Sequence, residues 1–171
     1  GSGGNKMKLE RLATMTGYMR KAMTLHDFFE EAVRCNVPGL PYVDDREQIV
    51  GRISIRDVYK HIAVPDSFLR LADAMGDQTD SLDLPEMEVM KALALPVETC
   101  LLENIPSVSP RSAIVKALAL MEVHNTSYIF LIEDGQYRGV VTRMLVAKRM
   151  LECVLEMERE KRLTNPGNDV K

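Results

Sequence analysis

The sequence predicts an α/β chain of the α+β kind, built from two copies of one unit, each a small sheet flanked by helices. Three observations predict it. A pattern of apolar, turn and hydroxyl residues recurs 88 positions along the chain. Within each copy the hydrophobic period runs from helical to strand-like and back. Apolar residues make up 46% of the 171 residues, enough for a buried core.

The repeat is anchored on two glycines. Gly51 lies in Ile49-Val50-Gly51-Arg52-Ile53-Ser54, and Gly139 lies in Tyr137-Arg138-Gly139-Val140-Val141-Thr142. The same shift, taken without a gap, lays Tyr42-Val43 on Phe130-Leu131, Gln48 on Gln136, Val58 on Val146 and Lys60 on Lys148. This divides the chain into a cloning scar and N-terminal segment (1–9), a first unit (10–63), a linker (64–95), a second unit (96–152) and a C-terminal helix with a disordered tail (153–171).

In the first copy Thr24 offers a hydroxyl to the free amides of a helix start, with Asp27 three residues on. Leu25, Phe28, Phe29, Ala32 and Val33 follow at helical spacing. A helix is expected over 24–35, then a strand Leu40–Val43, a charged turn Asp44–Gln48, a strand Ile49–Ser54 and a helix from Ile55. In the second copy Ser112 takes the capping position of a helix through Val115, Leu118, Ala119 and Met121. A strand Tyr128–Ile132, a turn at Asp134-Gly135, a strand Tyr137–Thr142 and a helix from Leu145 complete it, the glycine accepting positive φ at no steric cost. The linker carries the acidic stretch Gly76–Ser81 between short helical patterns, and its middle is expected to be mobile. The tail reads as helix to Leu163 and as disordered from Thr164.

Charge excludes some classes of partner. With 22 basic and 25 acidic residues the formal charge is -3, which gives no global field for nucleic acid or an anionic membrane. No apolar run approaches the ~20 residues that span a bilayer. Cys35, Cys100 and Cys153 are widely spaced and odd in number, which points to reduced thiols in a cytoplasmic protein. His26, His61 and His124 fall at helix ends with no paired spacing, and no metal-ligand set presents itself. There is no phosphate-binding G-x-x-x-x-G-K-S/T loop and no G-x-G-x-x-G turn. The eleven methionines read as core fillers.

The order of elements in each copy, with Gly51-Arg52-Ile53-Ser54-Ile55-Arg56-Asp57 at the end of the second strand, resembles the CBS domain family. The family signature is Gly-h-x-Thr/Ser-x-x-Asp with h apolar, and Arg52 departs from it. Val37 to Asp44 also looks like the family's strand leading to its turn. The resemblance covers roughly residues 10–63 and 96–152. It implies two CBS units packed through their sheets as a pseudo-two-fold pair, and clefts that bind AMP, ADP, ATP or S-adenosylmethionine. It also implies a regulatory role without catalysis, and pairing into a homodimer.

The residue chemistry agrees with that implication. The Asp57 carboxylate can accept from both ribose hydroxyls, and Ser54 with the helix-start amides can hold a phosphate or the ribose. Arg56 adds a phosphate partner. Ile53 and the segment from Thr16 to Met19 are expected on the adenine side. Ser-x-x-Asp before a helix is equally an N-cap signature, a reading that needs no ligand. In the second copy Leu145 stands where the ribose-binding acid should be, so that cleft is expected to be empty or to hold a ligand by other contacts, through Thr142 and Arg143. The rival reading is a ligand-free structural or protein-interaction module acting through dimerisation on an effector protein. Single-stranded nucleic acid has little support, because 5% aromatic residues supply few stacking platforms.

Overall fold

Leu25, Phe28 and Ala32 fall on one face of a helix, α2 (Leu25–Cys35), and all three are buried. Its start is the expected capping box: Thr24 Oγ1 accepts from the Asp27 N–H, and the Asp27 carboxylate accepts from the Thr24 N–H at 2.9 Å. Asn36, left-handed at φ 54°, ends the helix and returns its N–H to the carbonyls of Ala32 and Val33. The structure, a computed structural model, describes residues 8–62 and 86–165. Residues 1–7, which include the expected scar, the Gly76–Ser81 stretch with most of the linker, and the tail after Asn165 lie outside the described residues.

A short helix α1 (Leu9–Leu12) precedes α2. Strands β1 (Gly39–Val43) and β2 (Ile49–Ser54) then form an antiparallel hairpin, and α3 (Ile55–Ile62) follows directly. The end of the linker is helix α4 (Glu86–Leu93), followed by a 3-10 turn at Val97–Cys100. The second unit runs β3 (Ser107–Val108), α5 (Ile114–Val123), β4 (Tyr128–Glu133), β5 (Gln136–Thr142) and α6 (Arg143–Thr164). Its sheet has the order β3-β4-β5, with β3 parallel to β4 and β5 antiparallel. The first unit answers β3 with one parallel bridge, Met19 to Tyr42.

The repeat is real but not gapless. Tyr42 pairs with Gly51 as Leu131, not Phe130, pairs with Gly139. The buried helix residues Leu25, Phe28 and Ala32 correspond to Ile114, Ala117 and Met121, each 89 positions on. The difference of one residue is a longer hairpin turn in the first unit. It is offset by one extra residue between Leu102 and Val108, since Thr14 corresponds to Leu102 but Met19 to Val108.

That offset corrects the reading of the second helix. Ala113, not Ser112, is the N-cap of α5 and makes no side-chain cap bond. Val115 is 75% exposed and Ala119 is exposed, while the inward face is Ile114, Ala117 and Met121. The helix expected from Leu145 begins at Arg143, where Thr142 Oγ1 accepts from the Leu145 N–H at 3.1 Å. Thr164, expected to open the disordered tail, is the last residue of α6.

The units exchange backbone reciprocally. Thr14 and Val140 trade hydrogen bonds at 2.8 and 3.0 Å, and Arg52 and Leu102 at 2.8 and 2.9 Å. Each second strand therefore takes a rung from the other unit's leading segment, which is the pseudo-two-fold pairing expected. One core cluster spans both units, with Leu25, Phe28, Leu40 and Ile53 against Tyr128, Phe130 and Val140. Full burial of each such large side chain contributes about 1.5–3 kcal/mol before the entropy of ordering is counted. Gly39 sits opposite Ser54 as Tyr128 sits opposite Thr142, so the two are equivalent positions of the two units. A Cβ at Gly39 would strike the Tyr128 ring, coming to 2.7 Å from Cε2. Only one of the two positions can be large.

Candidate functional site

The hairpin of the first unit delivers Ser54 to the start of α3, where the Ile55 N–H donates to the Pro38 carbonyl at 2.9 Å. The second unit does the same, the Arg143 N–H donating to the Ser127 carbonyl at 3.0 Å. These two corners face one another across a cleft of about 770 Å³, within the range of a small-molecule pocket. Ser54, Arg56 and Asp57 line it from the first unit, and Asn104, Tyr128 and Arg143 from the second.

Arg52 forms its floor. The side chain is buried, and Nε donates to the Asn104 carbonyl at 3.0 Å while a terminal nitrogen meets Asn104 Oδ1 at 3.3 Å. The other terminal nitrogen donates to the Tyr128 hydroxyl at 2.5 Å, and the guanidinium lies 5.5 Å from the centre of that ring. No carboxylate is among these partners. Burial pushes the Tyr128 phenol above its ordinary pKa, against the opposing effect of its hydrogen bonds from Arg52 and with Ser54. Burial likewise raises the Cys100 thiol, with the Asp57 carboxylate adding to it. The Cys35 thiol is also raised by burial. Neither of these two thiols is poised as a thiolate at neutral pH.

The cations of the cleft are poorly paired. Arg143 reaches Glu122 at 3.1 Å, but the two side chains are 48% and 81% exposed. Arg56 and Lys60 have no ion-pair partner among the described residues. Asp57, in the first turn of α3, is the one carboxylate among the described residues of the wall.

Four of the expected site residues thus come together: Ser54, Arg56, Asp57 and Arg143. Arg143 belongs to this same cleft rather than to a separate one. The other four do not line it. Ile53 is fully buried and Met19 is 3% exposed, both in the core cluster. Thr16 is buried, its hydroxyl bonded to the Tyr137 hydroxyl at 2.6 Å and to the Gly17 carbonyl. Thr142 is buried as the cap of α6. The reason is the exchange of leading segments. The segment facing Asp57 is that of the second unit, so Leu102 and Asn104 stand where Thr16 and Met19 were expected. Nothing in the sequence marks Asn104 or Tyr128. Arg52 did carry a signal, as the one residue of the first copy that departs from the motif.

Among the described residues, one group could come close enough to share a metal ion, His26 with Asp27 and Glu30 on α2. Asp27 is already engaged as part of the helix cap.

Residues 97–152 match the family model of the CBS domain. No curated protein matches the sequence. Among solved structures, CBSX2 in complex with AMP superposes with a TM-score of 0.60 at 18% identity, covering 85% of this chain and 97% of that one. The CBS domain pair of protein MJ0100, in complex with 5'-methylthioadenosine and S-adenosyl-L-methionine, gives 0.58 at 14% identity over 84% of this chain and 99% of that one. The CBS domain of a CBS domain-containing membrane protein from Sphaerobacter thermophilus gives 0.60 at 18% identity, covering 84% and 87%. At these identities the likeness is one of fold.

Proposed function

We propose that this chain, a CBS-domain protein with the fold of a CBS pair, is a regulatory module that binds an adenosine nucleotide between its two units and performs no chemistry of its own. The observation that carries this reading is the meeting of Ser54, Arg56 and Asp57 with Asn104 and Arg143 in one nucleotide-sized cleft. Asp57 accepts from the ribose hydroxyls, and Ser54 and Arg56 take a phosphate at the start of α3. AMP, ADP or ATP is then the regulatory ligand, and no other cofactor is required. The adenosyl compounds held by CBSX2 and MJ0100 support this class of ligand. A cytoplasmic setting fits the three free cysteines, and no described helix is long and apolar enough to cross a membrane.

The test is the thermal midpoint of the chain with AMP, ADP, ATP, S-adenosylmethionine, NAD and GTP, beside Asp57→Ala. A ligand at about 100 times its Kd adds about 2.7 kcal/mol to the folded state. The expected result is an upward shift with an adenosine compound that the variant loses. Indifference to all six sinks the reading.

One observation favours a second reading, an interaction module acting through a homodimer on an effector protein. Met150, Leu151, Val154, Leu155 and Met157 on α6 are 44% to 62% exposed, an apolar stripe on a helix of 22 residues. A monomeric mass in sedimentation at micromolar concentration would remove its support.

A further inference from the structure

The cleft holds more positive charge than a ribose and one phosphate call for. Among the described residues Arg52, Arg56, Lys60 and Arg143 are on its wall, and Asp57 is the one carboxylate that lines it with them. This concentration occurs in a chain whose formal charge is -3. Among the described residues none of the four is paired with a buried carboxylate. Arg52 is 6% exposed and has only neutral hydrogen-bond partners, although a buried guanidinium is costly unless an anion compensates it. Arg56 and Lys60 stand four residues apart on α3, one turn above the other on the same face, and neither has an ion-pair partner among the described residues. The bond from Arg143 to Glu122 joins two solvent-exposed groups, and such pairs are readily given up. Like charges crowded into one cleft repel each other, and a polyanion relieves that repulsion.

Resting on the reading of this cleft as a nucleotide site, we infer that its ligand carries two or more phosphates. Arg56 and Lys60 grip the tail from the first unit and Arg143 from the second, over the field of Arg52. Each phosphate beyond the first adds an ionised oxygen for one of these groups. Lys60 and Arg143 are the residues that read phosphate number. S-adenosylmethionine, with a sulfonium and an ammonium, is disfavoured by the same cations. Because the grip draws on both units, binding ties them together.

The experiment is titration calorimetry on the full chain, in EDTA, with adenosine, AMP, ADP, ATP, GTP, S-adenosylmethionine and inorganic tripolyphosphate. It is repeated on Lys60→Gln and Arg143→Gln, and on Arg149→Gln as a control outside the cleft. The expected result is affinity rising from AMP through ADP to ATP by about tenfold or more overall, steeply weakened by salt. Lys60→Gln and Arg143→Gln bring the ATP-to-AMP ratio toward one, and Arg149→Gln leaves it alone. AMP binding as tightly as ATP overturns the inference and leaves the adenosine site standing. GTP or tripolyphosphate binding as well as ATP keeps the phosphate grip and overturns the adenosine reading. Absence of binding by every compound overturns both.

Discussion

Replacing Arg52 by methionine should leave the fold nearly as stable while weakening the ligand. The guanidinium donates three hydrogen bonds to neutral acceptors, two to Asn104 and one to Tyr128. At roughly 1.5 kcal/mol or more net apiece, as for bonds made by a charged group, their loss costs about 4.5 kcal/mol or more. Against this stands the desolvation of a charge that is 6% exposed and has no carboxylate among those partners, a penalty of several kcal/mol that methionine does not incur. What the substitution leaves behind is well provided for. Asn104 is exposed and rehydrates, and the Tyr128 hydroxyl keeps Ser54. The unbranched thioether can also lie along the Tyr128 ring. The two terms are opposite in sign and of the same order, so the expected net change is small, a shift of the thermal midpoint by no more than about 4 °C for a chain of this size. ATP affinity, by contrast, falls by about tenfold as the charge under the cleft is removed. Thermal denaturation and calorimetry on the same preparation read both quantities. A loss of more than about 3 kcal/mol with ATP affinity unchanged would refute the reasoning, making Arg52 a staple between the units and not a cation held for a ligand.

Gly39→Ala drives a methyl group into the Tyr128 ring, and should cost about 1–3 kcal/mol by overpacking. In a Tyr128→Leu background the cost should shrink, and equal costs in both backgrounds would show that the two positions are not coupled. The Tyr137 phenol is pushed up to about 12, chiefly by burial and against its hydrogen bond with Thr16. Its folded pKa lies above the unfolded value near 10, so the unfolded chain loses the proton first. Stability from this group is whole below about pH 10 and is lost as pH rises toward 12, by at most about 3 kcal/mol. Denaturant titrations of the chain and of Tyr137→Phe at pH 9 and pH 11 should show a smaller alkaline loss in the variant, and parallel losses would contradict the assignment.

Local chemistry made much of this protein legible in its sequence. The capping box of Thr24 and Asp27, the left-handed turn at Asp134-Gly135 and the strands of the two hairpins depend on neighbours within a few residues, and they stand as read. Ser54, Arg56 and Asp57 line one cleft together because they sit within four residues of one another at a strand-to-helix corner. The register of the repeat was not legible in full. Two single-residue insertions cancel over the unit, and only hydrogen-bond pairing reveals them. The composition of the cleft was decided still further from the local sequence. The leading segments cross between units, so Asn104 and not Thr16 faces Asp57, and Ile53 turns into the core while its neighbour Arg52 turns toward the cleft. Contacts within a hairpin are written in adjacent residues, whereas a cleft between two packed units joins residues that only the packing brings together.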